Sequence, residues 1–442
     1  MSATSDVEQV ERRAAAVSGA PSDYDDLLAL VGDRRYVLLG EASHGTHEFY
    51  RERSRITQRL IDELGFNLVA VEADWPDAYR VNRYVAGETD DADAVAALGD
   101  FRRFPAWMWR NHDVVRFVEW LRARNDAHHP ATKAGFYGLD LYSLAASMDS
   151  VVSYLDAVDP AAAREARSRY SCFDHVSGQG PEYGHAVSLD VMVPCEEEVV
   201  AQLVDLRARS ASILAADGMN AEDEYFFAEQ NARLVHDAEQ YYREMYRGRT
   251  SSWNLRDRHM AATLDALVVH RDRRPPGARV VVWEHNSHVG DARATQMGAG
   301  GELNVGELVR RAHPDDALLV GFTTSHGTVT AASEWGGPAE RKRVRPAIDG
   351  SWERRFHEVG PDQFLLPLGP QGFDPGRTTL LERAIGVIYR PETERQSHWF
   401  RADLARQFDA VIHFDRTTAV EPLERTSVWD VGEPPETYPS GL

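Results

Sequence analysis

Tyr36-Val37-Leu38-Leu39-Gly40 is a short, continuous apolar run, the pattern of a strand buried on both faces of a sheet. From Glu48 to Leu64 the spacing changes to a helical period. Phe49, Ile56, Leu60 and Leu64 share one face there, and Gly65 supplies the stop. A second apolar run, Asn67 to Val71, follows directly. Strand, helix, strand at this spacing is a βαβ unit, which predicts parallel pairing. The alternation continues with a helix from Asp113 to Asn125 and a third strand from Ala134 to Leu139. Between Leu144 and His270 the chain reads as long helical stretches, notably Glu196 to Leu214 and Ala221 to Tyr246, with no good strand. Strand patterns return at Arg279 to Trp283, Ala317 to Thr323, Gln363 to Pro367, Ile385 to Tyr389 and Ala410 to Phe414. The expectation is an α/β fold: a central, largely parallel sheet flanked by helices, with a long helical insertion between strands. It is read as one domain over residues 1–442, with residues 144–270 inserted where they could serve as a lid. The Pro-rich stretch after Val431 reads as a loose terminus.

Charge narrows the function. Asp and Glu number 70 against 49 Lys and Arg, a formal net charge of −21, which repels phosphate backbones and anionic membranes. Nucleic acid and membrane surfaces are therefore excluded as partners. Lys133 and Lys342 are the only lysines, all other basic residues being arginine. An acidic, lysine-poor surface suits concentrated salt, where screening relieves self-repulsion; GC-rich codon usage explains the arginine but not the excess of acid. Neither lysine lies in a Gly-Lys-Ser/Thr phosphate loop, so P-loop and Schiff-base mechanisms are disfavoured. Cys172 and Cys195 form no CxxC pair and are expected to be structural thiols. The polar start and the absence of any run of about 18 apolar residues predict a cytoplasmic protein.

Polar side chains cluster where the apolar runs stop. Glu41 to His47 follows the first strand, Glu72-Ala73-Asp74 the second, Asp140 the third, and Glu284-His285-Asn286-Ser287-His288 the returning VVVW strand. In open parallel sheets ligands bind beyond the carboxyl ends of the strands, so these segments are the candidate site. Histidine titrates near neutrality, and a carboxylate beside it fixes the tautomer that a general base for water needs. Glu41 with His44 offers that pair, and His285 and His288 offer a second histidine set. Glu72 is a candidate for ordering a histidine or a water. Within the Arg51/Arg53/Arg55 cluster one guanidinium could face a developing oxyanion. Trp75, Trp107, Met108 and Arg256 are the candidate substrate contacts; for the aromatic residues, core packing is the competing reading, and for Arg256 a salt-bridged helix face. No G-x-S-x-G elbow occurs around Ser43, which disfavours a serine nucleophile.

The segments LLGEASHGTHEFYRERSRIT, VAVEADWP and VWEHNSHVGDARATQMG, with NLRDRHMA in the expected order between them, resemble the erythromycin esterase family. The resemblance implies hydrolysis of an ester, in the namesake the macrolactone of erythromycin, by water activated on a histidine without metal, cofactor or covalent intermediate. It matches His44 to the general base, Glu41 to the carboxylate beside it, and Glu72 to the acid after the second strand. His285 and His288 match the paired histidines and Arg53 the arginine on the first helix. For a salt-adapted chain the expected substrate is a small-molecule ester or lactone other than erythromycin. Two rival readings stand beside this one. The same histidines and carboxylates could hold a divalent metal for a metallohydrolase, although HNSH is not the helical HExxH. The other rival is a non-catalytic binding or biosynthetic accessory protein with the same pocket, which has less need of five titratable side chains.

Overall fold

The computed structural model describes residues 3–174, 180–210, 219–369, 372–376 and 378–432. The Pro-rich stretch beyond Gly432 lies outside them. Eleven strands are assigned among the described residues: β1 (Ala15–Ala16), β2 (Tyr36–Leu39), β3 (Leu68–Asp74), β4 (Gly135–Asp140), β5 (Val280–Trp283), β6 (Ala317–Ala331), β7 (Glu340–Val344), β8 (Gln363–Pro367), β9 (Leu380–Arg383), β10 (Trp399–Ala402) and β11 (Ala410–Thr417). The main sheet runs β1-β8-β11-β6-β2-β5-β3-β4, with β7 on β6; β9 and β10 form a separate antiparallel pair. In keeping with the expected largely parallel sheet, β2 pairs parallel with both β5 and β6, and β6 with β11, although β5 stands between β2 and β3, the strands of the first βαβ unit. Antiparallel strands β8, β1 and β7 make the sheet mixed.

The chain divides into two compact units. The first comprises Met1–Val69, Tyr84–Gly135 and Arg279–Leu442. Within it β2 lies between β6 and β5, and its four residues are all buried. The register sets Leu39 beside Trp283 of β5 and Val320 of β6, so the segments leaving β2 and β5 start at one level. The helix after β2 runs from His47 to Leu64 and ends on Gly65 at φ 71°, the left-handed stop that the sequence announced.

The second unit comprises Ala70–Arg83 and Phe136–Ala278. It contains the expected helices, among them Leu144–Val158, Pro160–Tyr170, Glu196–Ala208, Met219–Glu244 and Arg249–Asp272. A core of Leu144, Val151, Leu155, Val199, Leu206, Val235 and Tyr242 holds them together. Cys172 and Cys195 are joined in a disulfide, not left as separate thiols. A short turn of helix at Ser171–Phe173 and the N-cap of the helix Glu196–Ala208 bring their Cα atoms to 6.0 Å, a proximity that a sequence separation of 23 does not reveal.

Two strand readings shift. Ile385 to Tyr389 is not a strand: Ile385 and Ile388 make single bridges to Ser43 and Ala332, and Ile385 and Tyr389 are buried with Val329, Ala331 and Val344. The neighbouring strand is β9, which escaped notice because Glu382 and Arg383 are charged yet fully buried. The second apolar run likewise continues to Asp74, so Glu72 sits within β3 and not after it.

Those buried charges carry a pH dependence. Arg383 pairs with Glu394 at 2.9 Å and donates its backbone N–H to Glu353 at 2.7 Å, while the second oxygen of Glu353 has no partner. Burial pushes the Glu353 carboxyl up to about 7 and, together with Glu353 itself, drives Glu382 well above the usual range. A carboxyl with a raised native pKa favours folding while protonated in both states, and this contribution is lost as pH climbs from the ordinary value toward 7. Stability should fall across that window at about 1.4 kcal/mol per pH unit for each such group. Glu353→Gln, which keeps the shape of the neutral acid, should flatten the dependence and be more stable than wild type at pH 8. Urea midpoints at pH 5 and pH 8 check this; parallel dependences in the two proteins would refute it.

Candidate active site

Glu41, His44 and Arg53 form a buried chain of contacts in the first unit. Glu41 and His44 leave β2 on the segment Gly40–Thr46, and Arg53 projects from the second turn of the following helix. His44 Nδ1 lies 2.9 Å from Glu41 Oε1, and Arg53 donates to Glu41 Oε2 at 2.6 Å. Exposure is 2% for Glu41, 7% for His44 and 1% for Arg53. A carboxylate can only accept, so the imidazole proton is assigned to Nδ1 and the lone pair to Nε2. Arg53 is sandwiched between the rings of Tyr50 and Trp283, at 4.7 and 5.2 Å, and Trp283 is fixed by its indole N–H on Thr57. The guanidinium therefore orders the carboxylate from behind, where the sequence alone suggested a group facing an oxyanion.

Two glycines allow the segment its path. A Cβ on Gly40 would stand 2.1 Å from Asn286 Oδ1, and one on Gly45 would stand 1.8 Å from the Thr330 carbonyl. These contacts give the GEASHG motif a steric reason for both its ends.

The segment after β5 meets the one after β2. Asn286 donates its backbone N–H to the Glu41 carbonyl at 2.8 Å, while its side chain accepts from Phe322 N–H and donates to the Phe322 carbonyl and Glu382. This clamp was not read from the sequence, although an asparagine between two histidines was the available sign. It sets the His285 ring 4.8 Å from the His44 ring. His285 is the N-cap of the turn Asn286–Val289, its Nδ1 accepting the Ser287 N–H, which leaves the proton on Nε2. His288 is 2% exposed in the same turn. The pair Glu41–His44 thus offers a base, and His285 beside it an N–H donor.

His47, the other histidine of the motif, turns to Asp113 at 2.7 Å. The hydrogen bond to that carboxylate is the main reason its pKa is raised. Trp107 and Met108 are 5% exposed in the turn Ala106–Met108, held by Asn111 bonds to their carbonyls.

Glu72 and Arg256 meet in the second unit. Arg256 donates from Nη2 to Glu72 Oε1 at 2.8 Å and to Asp140 Oδ2 at 2.7 Å, and from Nε to Asp140 Oδ1 at 2.9 Å, with its guanidinium over the Tyr142 ring. One cation thus spans two nearly buried carboxylates, the salt-bridged reading of this helix, with both partners buried. The neighbouring His259 bonds Asp237 at 2.7 Å. Trp75 is core: it is 2% exposed and packs against Tyr137, Phe226 and Phe227.

Among the described residues, one group of three or more metal-capable side chains has its donor atoms close together, His326, His357 and Asp415. None of these belongs to the motifs above. No helix among the described residues is long and apolar enough to cross a membrane.

Comparison with known proteins places the chain in a family and a fold. Over 421 residues the chain is 21% identical to erythromycin esterase type II of Escherichia coli, covering 90% of this chain and 93% of that one. A solved structure of a succinoglycan biosynthesis protein superposes with a TM-score of 0.73 at 20% identity, covering 95% of this chain and 98% of that one. A mutant of the erythromycin esterase EreC in its open conformation superposes at 0.68 with 16% identity, over 94% and 99%. These two likenesses establish the shared fold. The family model for erythromycin esterase matches residues 61–417, a span that begins after Glu41, His44 and Arg53. With that match covering most of its length, the chain belongs to the erythromycin esterase family.

Proposed function

We propose that the protein hydrolyses a carboxylic ester or lactone with water activated directly on His44. Family membership supports a hydrolase; the observation that carries the finer reading is the Glu41–His44 contact of 2.9 Å, with Glu41 itself anchored by Arg53. Because Nδ1 holds its proton against Glu41, Nε2 accepts a proton from water as hydroxide adds to the ester carbonyl. The imidazolium formed is stabilised by the carboxylate, as in any base oriented by a buried acid. The N–H on His285 Nε2 is directed to the tetrahedral oxyanion, and His288 supports its position. His44 then returns the proton to the departing alkoxide, which yields acid and alcohol. Arg53 acts through Glu41 and touches no substrate.

The reading is tested by acid release in a pH-stat, on a panel of macrolactones and simple esters in concentrated potassium chloride. The salt is chosen for a chain of net charge −21. Turnover of at least one ester class, absent with the corresponding ethers and amides, is the expected result. No acid from any ester or lactone would overturn the assignment and favour a binding role.

A further inference from the structure

We propose that His326, His357 and Asp415 form a binding site for a divalent transition-metal ion, Zn²⁺ by preference, separate from the His44 site. The three residues come from different elements of the first unit: His326 from β6, Asp415 from β11, and His357 from the end of the helix Trp352–His357. Each offers one donor atom, and all three donors lie within 4.8 Å of one another. His357 Nδ1 is 2.6 Å from Asp415 Oδ1, His326 Nδ1 is 3.9 Å from Asp415 Oδ2, and the two imidazole planes stand at 84°. Zinc–nitrogen and zinc–oxygen bonds are about 2.0–2.2 Å, so small side-chain rotations would close these donors on one ion.

A second observation points to the same place. His413 is fully buried, and its Nδ1 is bonded to Thr323 Oγ1 at 2.9 Å. Its Nε2 has no hydrogen-bond partner and stands 3.9 Å from Asp415 Oδ1, too far for a hydrogen bond. Two or three imidazoles with one carboxylate, and no thiolate, suit zinc, nickel, copper or ferrous iron over calcium or magnesium. His326 and His357 are partly exposed, which gives an ion entry from solvent.

The test uses the full chain, stripped by dialysis against chelator and titrated with Co²⁺. Wild type should show the visible absorption of nitrogen-ligated Co²⁺ at one ion per chain, displaced by one equivalent of Zn²⁺. His357→Gln and Asp415→Asn should each abolish the signal, with circular dichroism unchanged because both positions reach the surface. His413→Gln should weaken binding roughly 10–100-fold, the range for groups supporting a metal site, while His44→Ala keeps the stoichiometry. Absence of the signal in wild type would overturn the site. So would its persistence in both His357→Gln and Asp415→Asn, or its loss in His44→Ala.

Discussion

Replacing His44 with alanine should lower turnover by about 10²–10⁴, the usual contribution of a general base, while leaving the fold intact. His44 is 7% exposed and its side chain hydrogen-bonds Glu41, so its removal leaves that carboxylate still tied to Arg53. Loss of rate without loss of the unfolding midpoint is therefore expected. A variant with unchanged turnover would remove His44 from the mechanism. One that merely unfolds would be separated from a catalytic loss by circular dichroism and by His44→Gln, which keeps a polar side chain beside Glu41 but offers no basic nitrogen.

Arg256→Gln should cost about 3–5 kcal/mol of stability, the range for removing one partner of a buried ion pair. The guanidinium bonds Glu72 and Asp140 together, and the two side chains are only 5% and 6% exposed. Without the cation two carboxylates remain in low dielectric beside each other's field, and both must either stay charged at high cost or bind a proton. The loss should accordingly be larger at pH 8 than at pH 5. Adding Glu72→Gln to Arg256→Gln should recover part of it, which makes the pair non-additive in a double-mutant cycle. Urea unfolding of the four proteins of that cycle checks the claim. A cost below about 1 kcal/mol, typical of exposed pairs, would mean that water reaches both carboxylates.

The disulfide and the metal-capable cluster show where single-sequence reading stopped. Cys172 and Cys195 carry no spacing motif, and their pairing depends on where one helical turn and one helix N-terminus come to lie. His326, His357 and Asp415 stand in ordinary-looking segments, and 31 and 58 residues separate them along the chain. No local pattern links such residues. By contrast, Glu41 and His44 are three residues apart in a segment bounded by Gly40 and Gly45, and their contact is nearly local. The contact of His44 with Glu41 was therefore legible from the start, while the contact of Arg53 with the same carboxylate was not.

The sequence by itself determined the alternation of strands and helices, the largely parallel sheet, the helices among the described residues between Leu144 and His270, and the strand Gln363–Pro367 to the residue. It did so because apolar periodicity records which side of each element faces the core. Only the tertiary structure decided that Arg53 stands behind Glu41, that Trp75 is core, that one arginine joins Glu72 to Asp140 across 184 and 116 residues, and that charged Glu382 and Arg383 belong to a buried strand. A buried charge is held in place by a partner distant along the chain, and that partner is fixed only when the whole sheet has closed.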